Sequence, residues 1–414
     1  MELKRVVVTG LGAITPLGNN LADTWHGLVS GVSGAAPITH FDATKFKATF
    51  ACEVKNFDGN KILGKDARKM DLFTQYAIVA ADEAIKDAAF NFDNEDKNRI
   101  GVIWGTGIGG IKTYFEEARD YVLGDGTPRF SPFFIPKIIA DIAPGHISIR
   151  HGLGGPNFGT VSACASSTTA LVAAFDLIRL GRATAIVSGG SEAPITISGL
   201  GGFTSMKALS TRNDDPQTAS RPFDKDRDGF VMGEGGACLV LEEYEHALNR
   251  GAHIYCELVG GAHSGDAYHI TAPHPQGDGA ARVMADALRD ANLNPADIDY
   301  INVHGTSTPL GDKGELIAIG KVFADKAYDL NISSTKSMTG HLLGATGALE
   351  AIACVKTIEN GIVPPTINHF TDDPDIDPKL NLTFNEAQQR TVKAAMSNTF
   401  GFGGHNGTLI FKAL

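Results

Sequence analysis

The same short motifs occur twice in this chain, in the same order. GVIWGTG at 101–107 parallels INVHGTS at 301–307. CASSTTALVAAFDLIRLG at 164–181 parallels GATGALEAIACVKTIENG at 344–361, and a glycine closes both segments. One match between runs of small residues carries little weight. Matches that keep their order point to an internal duplication. A duplicated chain is expected to fold into two similar halves packed on each other, and their junction is where a site belongs.

Each half alternates short apolar runs with helical stretches. Val6–Thr9, Ile100–Trp104, Thr160–Ala163, Ala185–Ser188, Ile254–Val259, Tyr300–Val303, Leu330–Ser333 and Thr408–Phe411 read as buried strands. Leu72–Ala89, Ser166–Leu180, Ala280–Ala291 and Ala345–Glu359 carry helical spacing. Strands that are apolar throughout predict a mainly parallel sheet with helices on both faces, hence an α/β fold. Asp120–Pro136, Ser210–Gly236 and Thr371–Pro378 interrupt the pattern. They read as long loops of the kind that cover sites or build interfaces.

Composition narrows the function. The 414 residues are 43% hydrophobic and 20% charged, the balance of a soluble globular protein. A net charge of −11 argues against nucleic acid or an anionic membrane as the main partner. The start, MELKRVVVTGLG, enters a strand directly, and no apolar run reaches the roughly 18 residues of a membrane span. A cytoplasmic location is expected, or an organellar matrix if a targeting segment was removed. The five cysteines form no CxxC pair and read as reduced thiols.

Three residues stand where chemistry can occur. Cys164 lies at a strand-to-helix junction in VSACASSTTALVAAF. The first-turn N–H groups and helix dipole there are expected to favour thiolate. His304 follows a strand in YINVHGTSTPLGD, at the strand end where α/β sheets bind ligands. Thr306 and Thr308 share its loop and could hydrogen-bond a linear polar ligand. His341, in SSTKSMTGHLLGATGALEA, faces the helix that mirrors the Cys164 helix. Neither histidine has zinc-site spacing, so no metal is expected. Near the end, NTFGFGGHNGT reads as a glycine loop in which Phe400 and Phe402 form a hinged apolar gate. VVVTGLGAITPLG at 6–18 imitates a dinucleotide-binding turn, but it lacks the third glycine and the acidic partner.

Taken together, VSACASS, VHGTSTPLGD, STKSMTGHLLGATGALE, NTFGFGGHN and RPFDKDRDGFVMGEGG at 221–236 resemble the β-ketoacyl synthases. The likeness runs from Val6 to Phe411. It implies a duplicated thiolase-like fold of five layers, α-β-α-β-α, with halves at 1–252 and 253–414, assembled as a homodimer. The Cys-His-His set resembles the elongating members, and PLGD after the His304 motif, Ile108 and SPFFIP at 131–136 resemble synthase II rather than synthase I. The implied reaction is decarboxylative condensation of malonyl-carrier protein with an acyl chain on Cys164, in fatty acid elongation. No cofactor is implied. By the same resemblance the oxyanion donors are the amides of Cys164 and Phe400, and Lys336 orders the site around His341. Glu350 is expected to anchor Lys336 or a monovalent ion. Ile108, Phe203 and Leu343 are expected to line the acyl tunnel. Lys65, Arg68 and Lys69 form a basic patch suited to an acidic acyl carrier protein. The alternatives are a polyketide-type ketosynthase and a non-catalytic scaffold of the same fold; the retained Cys164 argues against the scaffold.

Overall fold

A computed structural model describes residues 3–414. Ten strands join in one sheet. In chain order they are β1 (Val6–Ile14), β2 (Ile100–Gly105), β3 (Asn157–Thr160), β4 (Ala185–Glu192) and β5 (Gly235–Glu243). Then follow β6 (Cys256–Gly265), β7 (Tyr300–Asn302), β8 (Asn331–Ser333), β9 (Ala394–Gly401) and β10 (His405–Lys412). Five helices pack on them: α1 (Leu72–Asp87), α2 (Ser166–Arg179), α3 (Asp278–Asp290), α4 (Pro309–Phe323) and α5 (Thr346–Asn360).

Outward from the centre, the N-terminal half runs β1, β5, β4, β2, β3 and the C-terminal half β6, β10, β9, β7, β8. Counted within each half, both orders are 1-5-4-2-3. Strand directions repeat too. The two inner pairings of each half are antiparallel and the two outer ones parallel. The halves meet edge to edge where Val6, Val7 and Val8 of β1 pair antiparallel with Leu258, Glu257 and Cys256 of β6. The duplication in the sequence is therefore a duplication of topology.

Helices α2 and α5 touch each other and strands of both halves, so they form a shared middle layer. Helix α1 covers the outer face of the first half, α3 covers that of the second, and α4 joins the same apolar cluster through Leu316, Ile319 and Phe323. This is the five-layered thiolase-like arrangement. The middle layer is the largest apolar cluster, with Leu171, Phe175 and Ile178 of α2 against Leu349, Ile352 and Val355 of α5. No helix among the described residues is long and apolar enough to cross a membrane.

The expected parallel character is overturned, because the sheet is mixed. All nine residues of β1 and all nine of β5 are buried, yet both strands run antiparallel to their neighbours. Helices on both faces, not strand direction, make a strand apolar throughout. Strands β5 and β9 escaped the sequence reading for a related reason. GGACLVLEE and AAMSNTFG carry glycine and polar residues at their ends, and those residues resembled loop. NTFGFGGHNGT is accordingly not a loop but the end of β9, a tight turn and the start of β10. Gly403 and Gly404 hold that turn with φ of 85° and 72°. The strand expected at Thr160–Ala163 ends at Thr160.

The middle layer is close-packed enough to test. A Cβ on Gly347 of α5 would stand 2.0 Å from Thr168 Oγ1 and 3.0 Å from Thr168 N. The Thr168 hydroxyl is itself held 2.7 Å from Thr399 Oγ1. In an open helix, glycine to alanine would stabilise by about 1 kcal/mol. Overpacking a rigid core costs about 1–3 kcal/mol and should win here. Gly347→Ala is expected to lower the urea midpoint of unfolding; a raised midpoint would show that α2 and α5 are not in tight contact.

Candidate active site

After β3 the chain turns through Ser162–Ala165 into α2, and Cys164 sits in that turn. Ala163 takes a φ of 51°, a left-handed conformation that persists in a non-glycine residue only when its surroundings enforce it. Ser166 enforces it. Its Oγ donates to Ala163 O at 2.6 Å and accepts from Ser162 N at 3.0 Å, while Thr160 Oγ1 donates to Ser166 O at 2.8 Å. The second half repeats the turn: Leu343, which matches Ala163, has a φ of 47°. Gly344 stands where Cys164 would be. A Cβ at Gly344 would lie 2.2 Å from Gly107 N and 2.6 Å from Glu192 Oε2. The duplicated turn therefore bears one nucleophile.

His341 Nε2 lies 3.0 Å from Cys164 Sγ, and its Nδ1 lies 3.0 Å from Thr346 Oγ1. The His304 ring stands nearly perpendicular to the His341 ring, with centroids 5.3 Å apart. His304 Nδ1 is buried without a hydrogen bond. Two carboxylates fix the loops around this centre. Glu315 of α4 accepts from His304 N and Gly305 N, both at 2.9 Å. Glu192, at the end of β4, accepts from Thr106 Oγ1, Gly107 N, Ile108 N and Gly344 N. It thereby ties a loop of the first half to the mirrored turn of the second. The 221–236 segment backs both histidines. Val231 O accepts from His341 N at 2.7 Å, Gly233 N donates to His341 O at 2.9 Å, and Ser307 O accepts from Gly229 N at 3.1 Å.

Burial sets the charges. It pushes the Cys164 thiol up to about 12, although the Lys336 charge and the Phe402 and Cys164 amides pull the other way. Burial, reinforced by Lys336, holds both histidines well below the usual imidazole range. The resting site is thus a neutral thiol beside a neutral imidazole, and the expected thiolate is corrected. The helix dipole acts on the sulfur, but desolvation outweighs it. The Thr346 hydroxyl can accept from His341 Nδ1–H or donate to a bare Nδ1, so a neutral His341 can face the sulfur with Nε2 as acceptor or as donor. Behind the histidines, Lys336 and Glu350 form a buried ion pair. Glu350 Oε2 is left without a partner.

A cavity of about 460 Å³ reaches Cys164, His304 and His341. Thr306 and Thr308 line it, with hydroxyl oxygens 3.0 Å apart. Phe203, Leu343, Phe400 and Phe402 line it too. Ile108 does not. It packs in an apolar cluster with Phe203, Leu343 and Cys164. The amide that faces the sulfur from the glycine turn belongs to Phe402, not to Phe400. The Phe400 ring instead packs against His304, 5.7 Å between centroids. Lys65, Arg68 and Lys69 are exposed and line no part of the cavity. Lys69 is paired with Asp66 at 2.8 Å.

Comparison with known proteins agrees with this geometry. A family model described as the N-terminal domain of β-ketoacyl synthase matches residues 3–247, and one for the C-terminal domain matches 255–370. The chain belongs to the β-ketoacyl synthase family. A Staphylococcus aureus relative named 3-oxoacyl-(acyl-carrier-protein) synthase 2 is 51% identical over 99% of this chain and 98% of its own. A solved β-ketoacyl synthase from Burkholderia phymatum superposes with a TM-score of 0.91 at 35% identity, covering 99% of this chain and 100% of that one. A solved type II polyketide ketosynthase in complex with its acyl-carrier protein and bound to a hexaketide gives 0.90 at 33% identity, with both chains fully covered.

Two residues of this ketosynthase site, Glu192 and Glu315, went unnoticed in the sequence. Glu192 is a lone carboxylate in the small-residue context GGSE, and that context was the available signal; Glu315, in LGDKGE, stands among other charges and carried none. Because the resting sulfur is neutral, alkylation of Cys164 by iodoacetamide should accelerate about tenfold per pH unit from pH 6 to 9, following the thiolate fraction. Mass spectrometry of the alkylated peptide gives the rate. A plateau below pH 8 would mean that the sulfur is already ionised at neutral pH.

Proposed function

We propose that this ketosynthase makes 3-oxoacyl-(acyl-carrier-protein) in fatty acid elongation, with Cys164 carrying the acyl chain and the two histidines driving decarboxylation. The observation that carries the reading is the convergence of Cys164, His341 and His304 on one cavity, each supplied by a different loop.

In the first half-reaction the Cys164 sulfur attacks an acyl thioester. Its proton passes to His341 Nε2 and then to the departing carrier sulfur. The oxyanion meets the amides of Cys164 and Phe402. In the second, the malonyl thioester oxygen accepts N–H bonds from His304 and His341. The C–CO₂ bond breaks, and its electrons form an enolate that those donors stabilise. The enolate carbon attacks the acyl carbonyl, the C–S bond breaks, and the Cys164 sulfur leaves as its anion, which takes up one proton from solvent to restore the thiol. The Thr346 hydroxyl suits both halves, because it accepts from His341 Nδ1–H or donates to bare Nδ1. Lys336 acts behind them: its charge keeps the histidines neutral and eases the sulfur toward its anion.

Around this centre, Thr306 and Thr308 bind the linear arm that brings each thioester, and Phe203, Leu343 and Ile108 surround the acyl tail. Lys65, Arg68 and Lys69 dock the carrier protein; among the described residues, Lys65 and Arg68 have no acidic partner in an ion pair. Halves at 1–252 and 253–414 account for the repeated strand order. A second copy of the chain covers the β3 edge, where Phe158 and Val161 are exposed.

The half-reactions should separate by mutation. Cys164→Ala abolishes acyl-enzyme but keeps decarboxylation of malonyl-carrier protein. His304→Ala keeps acylation and loses about 10²–10³ in decarboxylation, the usual effect of deleting one oxyanion donor. His341→Ala loses both, since it serves both halves. Labelled CO₂ release and labelled acyl transfer measure the two steps. Decarboxylation at the wild-type rate in both histidine variants would end this assignment.

Ile108→Phe should shorten the products. The added bulk meets the packed cluster of Phe203 and Leu343, and overpacking there costs about 1–3 kcal/mol against long acyl tails. Chain-length analysis should show short products with short-primer turnover retained. An unchanged profile would remove Ile108 from the tail pocket.

A further inference from the structure

The geometry points to Arg227 as a positioning residue for the condensing half of the reaction, acting through Asp312 on the loop that carries His304, Thr306 and Thr308. This rests on the reading of His304 as a donor to the malonyl thioester.

The guanidinium is buried, with 4% of its side chain exposed, and it meets three separate segments. Nη1 donates to Asp224 O at 2.7 Å, within its own segment, and to Asp373 Oδ2 at 2.6 Å, on a loop from the far end of the chain. Nη2 donates to Pro309 O at 3.3 Å, at the first turn of α4. Nε stands 3.4 Å from Asp312 Oδ2.

Asp312 is fully buried and holds the His304 loop from beneath. Its Oδ1 accepts from Ser307 N at 3.1 Å and its Oδ2 from Phe223 N at 3.0 Å. Ser307 is the strained point of the loop, with a φ of 68°. Its side chain and carbonyl are held from the Arg227 side as well: Oγ accepts from Arg221 N, and O accepts from Gly229 N. Burial drives the Asp312 carboxyl up to about 6, and Arg227 is the cation that opposes this. Without that cation, Asp312 takes up a proton, the bond to Ser307 N weakens and Ser307 loses its clamp. Ser307 lies between Thr306 and Thr308 and three residues after His304, so a slack Ser307 misplaces the hydroxyls and the imidazole together. The same segment reaches His341 through Phe230, whose ring stands edge-on to it at 5.3 Å. Cys164, in contrast, is held by Ser166 and its own turn, which Arg227 does not touch.

The test compares Arg227→Gln, Arg227→Lys and Asp373→Ala with wild type and with His304→Ala, all as the full chain. Two rates are measured: labelled CO₂ release from malonyl-carrier protein, resolved into kcat and KM, and iodoacetamide alkylation of Cys164. Arg227→Gln should lose about tenfold or more in kcat for decarboxylation while Cys164 alkylation stays within about twofold. Arg227→Lys keeps a charge against Asp312 but not the fork, and should recover at least about threefold over the glutamine variant. Asp373→Ala frees one corner of the guanidinium from the outer loop and should shift kcat in the same direction by less. It carries the test if the glutamine variant does not fold. The assignment is overturned if kcat holds in Arg227→Gln, if alkylation and decarboxylation fall in parallel, or if lysine recovers nothing. Should His304→Ala itself decarboxylate normally, the fault lies with the histidine's role and not with Arg227.

Discussion

Everything in this molecule depends on the contact between two helices, α2 and α5. They are the repeated elements of a duplicated chain, and they pack against each other in the middle layer at glycine distance. That contact brings together the two turns that precede them. One turn carries Cys164 and the other carries Gly344. Because the turns are juxtaposed, His341, just before the second, lies within hydrogen-bond reach of the sulfur, just within the first. The catalytic geometry is therefore a by-product of packing two similar halves about a common layer.

The electrostatics follow from the same burial. A sulfur and two imidazoles in a packed interior resist charge, and one buried cation, Lys336, biases all three in the same sense. It discourages imidazolium and favours a sulfur anion. Lys336 is itself matched by Glu350, so the cation beside the catalytic groups is paired within the interior. Chemistry that creates negative charge at a thioester oxygen suits such an interior well. Neutral N–H groups held in a packed interior are suited to stabilise such charge as it develops.

Much of this was legible in the sequence, for reasons that differ by residue. Cys164, His304 and His341 stand at strand-to-helix junctions in repeated motifs, and the position of such junctions follows from local pattern. The duplication predicted two halves, and the strand order bears this out. Strand direction was not legible, because double burial makes antiparallel and parallel strands equally apolar; β1 and β5 are the examples. The charge of Cys164 was not legible either. Proximity to a helix N-terminus shows in a sequence, whereas full desolvation is a property of the packed whole. The identity of the facing amide failed by two residues, Phe402 for Phe400. Phe400 lies at the end of β9 and Phe402 in the turn that follows, and only the three-dimensional path of the chain decides which N–H points at the sulfur. Glu192 and Glu315 were missed because their partners are backbone amides far away in sequence or around a turn.

The neutral, enclosed sulfur also bears on how such a protein survives between turnovers. Peroxides attack thiolates, and the first oxidation product, a sulfenic acid, forms in proportion to the ionised and accessible fraction. Cys164 is buried and protonated at rest, so that fraction is small. Its reactivity is summoned by a thioester delivered next to His341 rather than displayed to the solvent. A nucleophile kept latent in this way is protected against oxidants without any dedicated shield, by the same desolvation that the condensation chemistry requires.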